Sequence, residues 1–298
     1  MCEKEYTAWE DITKSVTLSL NKYLEQNRRV RGAYKDEEQT SADDGMKIDR
    51  LELQHQLFHI TLDGKLHLAP IAENPRDVLD IATGDPNWVF DFAARHPSAS
   101  VVANDLSPAR PKRATPNIVF QVGEANETWT YSQRFDYIHC RQNHRRIEEH
   151  RLFEQGLKFL KPGGWMEMQE LCNPIVSDDG TLAEDSSLAK WAKLLVEASA
   201  KLKRPADNPR NYASWMQEAG FTNVQTVVHK WPINPWPEDE REKLKGLWNL
   251  YNVLERLEKF TTALLTKALG WGREEVHALL VDVRAEMQNE DVHAYFPV

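Results

Sequence analysis

The stretch Asp80-Ile-Ala-Thr-Gly-Asp-Pro-Asn-Trp88 sits between two apolar runs, Val78-Leu79 before it and Val89-Phe90 after it. A strand that turns sharply into a helix presents backbone amides at the helix start, where a nucleotide-like ligand can be held. Such turns place glycine where the backbone must approach the ligand, and here one glycine, Gly84, is present. Asp105 ends the next apolar run about 20 residues on, the place from which an acid reaches ribose hydroxyls. Glu124 follows the run after that, within reach of an adenine edge. Taken singly, Asp105 before Leu-Ser-Pro also reads as the start of a turn, and Glu124 as a solvated loop acid. Together with the turn, they favour a ligand.

A second group of residues suits proton chemistry. The segment HCRQNHRRIEEH carries His139, Arg141 and His144. His144 has the pKa range to take a proton from a phenol or an acidic carbon; the alternative is a surface histidine beside Arg145 and Arg146. Glu170 ends a strand and either orients a substrate or pairs with an arginine. His55 and His59 share a helix face. Two histidines do not make a metal site, so packing against the sheet is the expected role, and no metal is expected.

The elements that must position these groups alternate from residue 76 onward. Val78–Ile81, Val101–Asn104, Ile118–Val122, Phe135–Cys140 and Trp165–Glu170 read as strands. Residues 87–95 and Leu152–Leu160 read as helices, the second stopped by Lys-Pro-Gly-Gly. This alternation predicts a doubly wound, mostly parallel α/β sheet of Rossmann type. Residues 5–30 and 48–62 read as helices before it, the latter ended by Gly64. After it come helices at 188–202, 211–219, 240–265 and 273–288, with one more strand at Val224–Val228. The expected organisation is a helical cap at 1–74, a ligand-binding core at 75–180, and helical insertions plus final strands at 181–298 that form a lid. Trp231, Trp236, Trp248 and Tyr251 wall a pocket or, individually, pack the core.

Composition narrows the partners. The chain has 298 residues, and its 46 acids against 37 Lys and Arg give a net charge of -9. That argues against nucleic acid and anionic membranes and leaves a small molecule as the expected partner, with a homo-oligomer or protein partner open. Cys2, Cys140 and Cys172 are too few and too far apart for a disulfide or zinc framework. A reducing compartment, the cytoplasm or nucleus, is expected.

Several strings carry a family resemblance: RLELQHQLFHITLDGKLHLAPI, VLDIATG, VVANDLSP, FDYIHCR and LKPGGWMEMQE, then DDGTLAEDSSL, WPINPWP, KGLWN and HAYFPV. From about Arg29 to the last residue the chain resembles the fungal LaeA-like, or TAM-domain, class I methyltransferases. The resemblance implies a seven-stranded methyltransferase sheet, S-adenosyl-L-methionine as cofactor, and a role in fungal secondary metabolism. It implies a cofactor-binding set of Asp80, Ala82, Gly84, Asp105, Leu106, Glu124, Ala125 and Arg141; His139 also matches the family, and with His144, which is extra to the family pattern, and Glu170, at its strand end, it makes the catalytic candidates.

The sequence departs from the family pattern at three places. The usual Asp-Ile-Gly-Thr-Gly-Thr-Gly-x-Trp is altered at Ala82, Asp85 and Pro86. Asp and Pro make a good helix start by themselves, and Asp85 adds an anion near the expected methionine carboxylate. Gly123-Glu124 replaces paired acids. Family members also run on past HAYFPV into a strand that completes the sheet, whereas this sequence stops at Val298. Three functions therefore stand: methyl transfer to a small molecule, a non-methylating cyclase-type enzyme on the same fold, and a regulatory pseudo-methyltransferase.

Overall fold

The computed structural model describes residues 14–22, 50–84, 86–106, 115–142 and 147–298. Strands β1 (Asp77–Ile81), β2 (Ser100–Asp105), β3 (Ile118–Val122), β4 (Phe135–Arg141) and β5 (Leu160–Gln169) form a parallel sheet in the order β3-β2-β1-β4-β5. The order reverses between β1 and β4, so a crevice opens at their carboxyl ends. β1 and β4 are buried almost throughout because helices cover both faces. On one face Val78, Val101, Ala103 and Tyr137 pack under helix α3 (Asn87–Arg95) with Trp88 and Phe92. On the other, Leu79, Ile81, Ile138 and Met166 pack with helices α4 (Glu149–Phe159) and α6 (Tyr212–Ala219).

A second core lies outside the sheet. Helices α1 (residues 14–22), α2 (Arg50–Thr61), α5 (Ser187–Lys201), α7 (Glu240–Leu254), α8 (Leu257–Leu269) and α9 (Arg273–Gln288) share it. It also takes residues from a three-stranded antiparallel sheet of β6 (Val176–Ser177), β7 (Lys230–Pro232) and β8 (Ala294–Pro297), in the order β6-β8-β7. Segments from both ends of the sequence thus bury one another. Trp231, Trp248 and Tyr251 are buried in this core, which settles their role as packing.

Three readings of the sequence change. Val224–Val228 pairs with no strand among the described residues, and Val227 and Val228 are exposed. Residues 220–229 run beside the outer edge of β5, leaving a cavity of about 830 Å³ between them. The central sheet therefore has five strands among the described residues, not seven: alternation of apolar residues makes a strand only where a backbone ladder is within reach. The predicted helix 240–265 is two helices, α7 and α8, separated at Glu255-Arg256.

As expected, helix α4 ends at Phe159, just before Lys-Pro-Gly-Gly, and those four residues lie within β5. β5 starts at Leu160, straight after α4, and the pairing steps from Phe135↔Leu160 to Tyr137↔Trp165, so residues 161–164 bulge out of the ladder. Gly163 takes φ +79°, and a Cβ on Gly164 would lie 3.1 Å from the Asp136 carbonyl oxygen. Both glycines are required by the bulge.

The bulge carries Lys161, whose ammonium meets Asp77 at 2.6 Å and Asp136 at 2.9 Å, joining β1, β4 and β5 at their amino ends. Partial burial pushes the Asp136 carboxyl upward, but the Asp77 amide, the Lys161 ammonium and the Arg76 amide outweigh it and hold it below its ordinary range. A carboxyl lowered by folding stabilises the fold above its unfolded pKa, and that contribution is lost as pH falls through the folded one. Thermal melts of the parent should lose stability below about pH 4. Asp136→Asn should be less stable at pH 7 and lose less on acidification; parallel curves for the two proteins would discount the pairing.

Candidate active site

The β1 turn is fastened to the end of β2. The Thr83 amide donates to the Asn104 carbonyl at 3.0 Å, and the Gly84 amide to Asp105 Oδ2 at 2.8 Å. Two left-handed residues make this course possible, Ala82 at φ +53° and Gly84 at φ +55°. Glycine takes that conformation freely; alanine does not. Left-handed backbone costs a non-glycine residue roughly 1–2 kcal/mol, and glycine costs about 0.4–1 kcal/mol in unfolded-chain entropy. Ala82→Gly should therefore raise stability by roughly 0.5–1 kcal/mol, read from urea unfolding. A loss of stability would show that Ala82 is not strained.

Beyond the turn, Pro86 stands at the N-cap of α3, and its carbonyl accepts from the Phe90 amide at 2.9 Å. Proline thus falls just before the first helical residue, Asn87, rather than on it. Asp85 and its expected effect on an anionic ligand lie outside the described residues, as does His144.

Asp105 sits at the carboxyl end of β2, and Glu124 two residues past β3. Glu124 Oε1 accepts from the Asn126 amide at 3.1 Å and from Asn126 Nδ2 at 2.8 Å, which fixes its own loop. The neighbouring Gly123 is explained by space: a Cβ there would lie 2.5 Å from Asn104 Nδ2. A second acid at 123 would push Asn104 aside. Leu106 is exposed at the strand end, while Ala125 is buried and its carbonyl takes the Trp129 indole N–H at 3.1 Å.

Asp80 and His139 face each other across β1 and β4, as their register requires. His139 Nδ1 meets Asp80 Oδ1 at 2.6 Å, and the imidazole stacks on Trp88 at 3.7 Å with the rings nearly parallel. Both residues are buried, His139 at 1% exposure, and His139 Nε2 has no hydrogen-bond partner among the described residues. The Trp88 indole N–H donates to the Leu66 carbonyl at 3.0 Å. Glu167, next along the same register on β5, accepts from the amides of Leu68 and Ala69, and Gln169 Nε2 donates to the Leu66 carbonyl. The motifs KLHLAP and MEMQE are thus two halves of one joint. Sequence reasoning missed Glu167 and Gln169, whose alternation with apolar neighbours on β5 hinted at an inward polar face, and Asp91 on α3, for which there was no signal.

At the carboxyl end of β4, Arg141 lies over the Phe58 ring at 4.9 Å, with Nη2 3.2 Å from His55 Nδ1. His55 Nε2 and His59 Nε2 both reach Asp91 Oδ2, at 2.9 and 3.0 Å. The two histidines therefore meet an acid from α3 rather than only packing. Beyond β5, Glu170 is buried and lines the cavity with Tyr212. The Tyr212 phenol donates to Glu149 Oε1 at 3.4 Å, and Asn208 Nδ2 donates to the same oxygen at 3.1 Å. Burial, with Glu170 and Glu149 nearby, holds that phenol protonated far above its ordinary range, so Tyr212 acts as a donor and not as a base.

A five-stranded parallel sheet with this switch point, a turn after β1 and acids after β2 and β3 define a class I methyltransferase. A methyltransferase-domain family profile matches residues 53–226. The chain is 50% identical over 298 residues to the probable methyltransferase tdiE of Emericella nidulans, covering 100% of this chain and 94% of the relative. It is 36% identical over 284 residues to methyltransferase pytC of Aspergillus terreus, covering 95% and 88%. It is 34% identical over 255 residues to the secondary metabolism regulator LAE1 of Cochliobolus heterostrophus, covering 83% of each. The chain belongs to the fungal LaeA-like methyltransferase family. Among its described residues no helix is long and apolar enough to cross a membrane.

Proposed function

We propose that the protein binds S-adenosyl-L-methionine in the crevice between β1 and β4 and methylates a small, largely apolar acceptor. The observation that carries this is the bond from the Gly84 amide to Asp105, which brings the turn and the ribose-binding acid to one place. The residues present fit the cofactor. Among the described residues, a Cβ on Gly84 would have the Ala82 carbonyl at 3.9 Å as its nearest neighbour, which leaves room for a ligand to approach the backbone. Asp105 Oδ2 accepts from the Gly84 amide at 2.8 Å, and Glu124 Oε2 takes no part in the Asn126 bonds.

The cofactor supplies an electrophilic methyl group on a sulfonium. In this reading Asp105 holds the ribose hydroxyls and Glu124 the adenosine end. Asp80 and His139 sit beneath the turn as positioning residues, because burial keeps His139 from an acceptor. Glu170 orients the acceptor at the carboxyl end of β5, and Tyr212, anchored by Glu149, shapes the cavity beside it. That cavity falls within the range of about 300–1,000 Å³ usual for small-molecule sites. His144 remains the proposed base where the acceptor must lose a proton. The helical body built from both ends of the sequence serves as the lid.

Calorimetry with S-adenosylmethionine should show low micromolar binding, and the demethylated product should compete. No measurable binding would defeat the proposal and favour the cyclase-type reading. The regulatory reading predicts a stable complex with a protein partner and no methylated small-molecule product.

A further inference from the structure

We infer that the outer edge of β5 and residues 224–228 form the two sides of a slot for one extended, apolar peptide strand. This rests on the reading above and names its acceptor class: a peptide or peptide-like chain laid along β5 with one end beside Glu170, which lines the same cavity.

The directions of the backbone groups define the slot. A strand residue sends its N–H and C=O to the same neighbour, and the next residue sends both the other way. The Gln169 carbonyl accepts from the Gln142 amide, on the β4 side, at 2.9 Å. Met166 and Met168 therefore face outward. Cys172 continues that row, and its amide donates to the Pro297 carbonyl of β8 at 2.8 Å. On the opposite side the His229 amide donates to the Val298 carbonyl at 2.8 Å, and the Val298 amide to the His229 carbonyl at 2.9 Å. The same alternation, carried back from His229, turns Val227 and Gln225 toward β5. The end of β8 is thus bonded to both sides, and the slot continues in line with it. β5 is the last strand of its sheet. Among the described residues no backbone bond takes up the outward groups of Met166 and Met168, or those of Gln225 and Val227.

An occupant of the slot must match two rows of donors and acceptors that repeat every two residues, about 7 Å. An extended peptide does so along its whole length, pairing at both edges. A hydrocarbon chain would strip water from these groups and return no hydrogen bond. The walls choose the side chains. Met168, Met216 and Phe221 line one face of the slot, on the side of α4 and α6, while Trp165 and Leu68 line the other. Both faces of the bound strand are therefore apolar. Direction follows from β8, which runs antiparallel to β7. A strand in line with β8 has its amino end beside Val298 and Glu170 and runs antiparallel to β5.

The test uses the full chain without cofactor and the peptide Val-Ala-Val-Thr-Val, capped at both ends. Hydrogen exchange should be fast at the amides of Met166, Met168, Gln225 and Val227 in the free protein, and about tenfold slower or more with the peptide at saturation. Val227→Pro removes an inward amide and should weaken the peptide about tenfold. Val228→Pro, whose amide faces away, should weaken it less than about twofold. Peptides N-methylated at alternate residues cannot donate to one edge, and should bind the unaltered protein about tenfold more weakly. Unchanged exchange, equal binding of the N-methylated peptides, or equal losses from the two proline variants would overturn the inference. Slow exchange at these amides in the free protein would also overturn it: in a dimer by sedimentation a second copy fills the slot, and in a monomer another part of the chain does. Because peptide binding is read without cofactor, a protein that takes the peptide and not S-adenosylmethionine defeats the cofactor reading alone.

Discussion

Asp105→Ala should lower S-adenosylmethionine affinity by about ten- to a hundredfold while leaving the fold nearly as stable as the parent. A hydrogen bond to a charged group contributes roughly 1.5–3 kcal/mol, which converts to that range of affinity. The stability effect is smaller because the Gly84 amide it leaves behind lies at the surface, where water replaces the lost acceptor. Asp105→Asn separates the two roles: its amide oxygen can still accept from Gly84, but it lacks the charge that favours a ribose diol. The expected order of affinity is parent, then Asn, then Ala, read by calorimetry against an unchanged urea midpoint. If Ala binds as the parent does, the ribose assignment is wrong. If stability falls as far as affinity, Asp105 is only a turn residue.

Gly246→Ala should be the most destabilising small substitution in the helical body, by about 3 kcal/mol or more. Gly246 lies inside α7, where alanine is ordinarily better than glycine by about 1 kcal/mol. Propensity alone therefore predicts a gain. Space predicts the reverse: a Cβ at 246 would stand 2.7 Å from the Asn234 carbonyl carbon, closer still to its oxygen, and 3.1 Å from the Pro235 nitrogen. These are backbone atoms and they are not free to move. Asn234 is fully buried and its Nδ2 donates to the Asn289 carbonyl at 2.9 Å. The Trp236 amide donates back to Asn234 Oδ1 at 3.0 Å, and Asn249 Nδ2 holds the Pro232 carbonyl at 2.9 Å. Urea unfolding of Gly246→Ala should show the loss directly. A variant as stable as the parent would mean that residues 232–236 yield easily.

Of the site, the sequence located the parts that follow from local rules. A turn residue followed by a helix start, an acid ending the next strand and a polar residue after the third are fixed by chain distance and strand length. Asp105 and Glu124 accordingly lie at the ends of β2 and β3, where alternation placed them. The helices at 87–95 and 273–288 have the predicted limits because their apolar spacing needs no partner to be recognised.

What depended on distant neighbours was not legible. Val224–Val228 has the composition of a strand, but pairing decides whether it is one, and the edge of β5 lies across a cavity. His55 and His59 showed a shared face and no third group, because Asp91 comes from another helix 32 residues after His59. His139 read as a candidate for chemistry, since its type and its strand end suit it. Only the register with Asp80 and the stack on Trp88 show that it is enclosed. Gly246 gave no signal, because the need for a missing methyl group exists only where another backbone crosses. The sequence by itself determined the parallel sheet and the ends of the strands that carry the acids, through periodicity and turn chemistry that act within about 20 residues. The tertiary structure alone decided which polar groups face one another, since hydrogen bonds and close packing are set by atoms that the chain brings together from far apart.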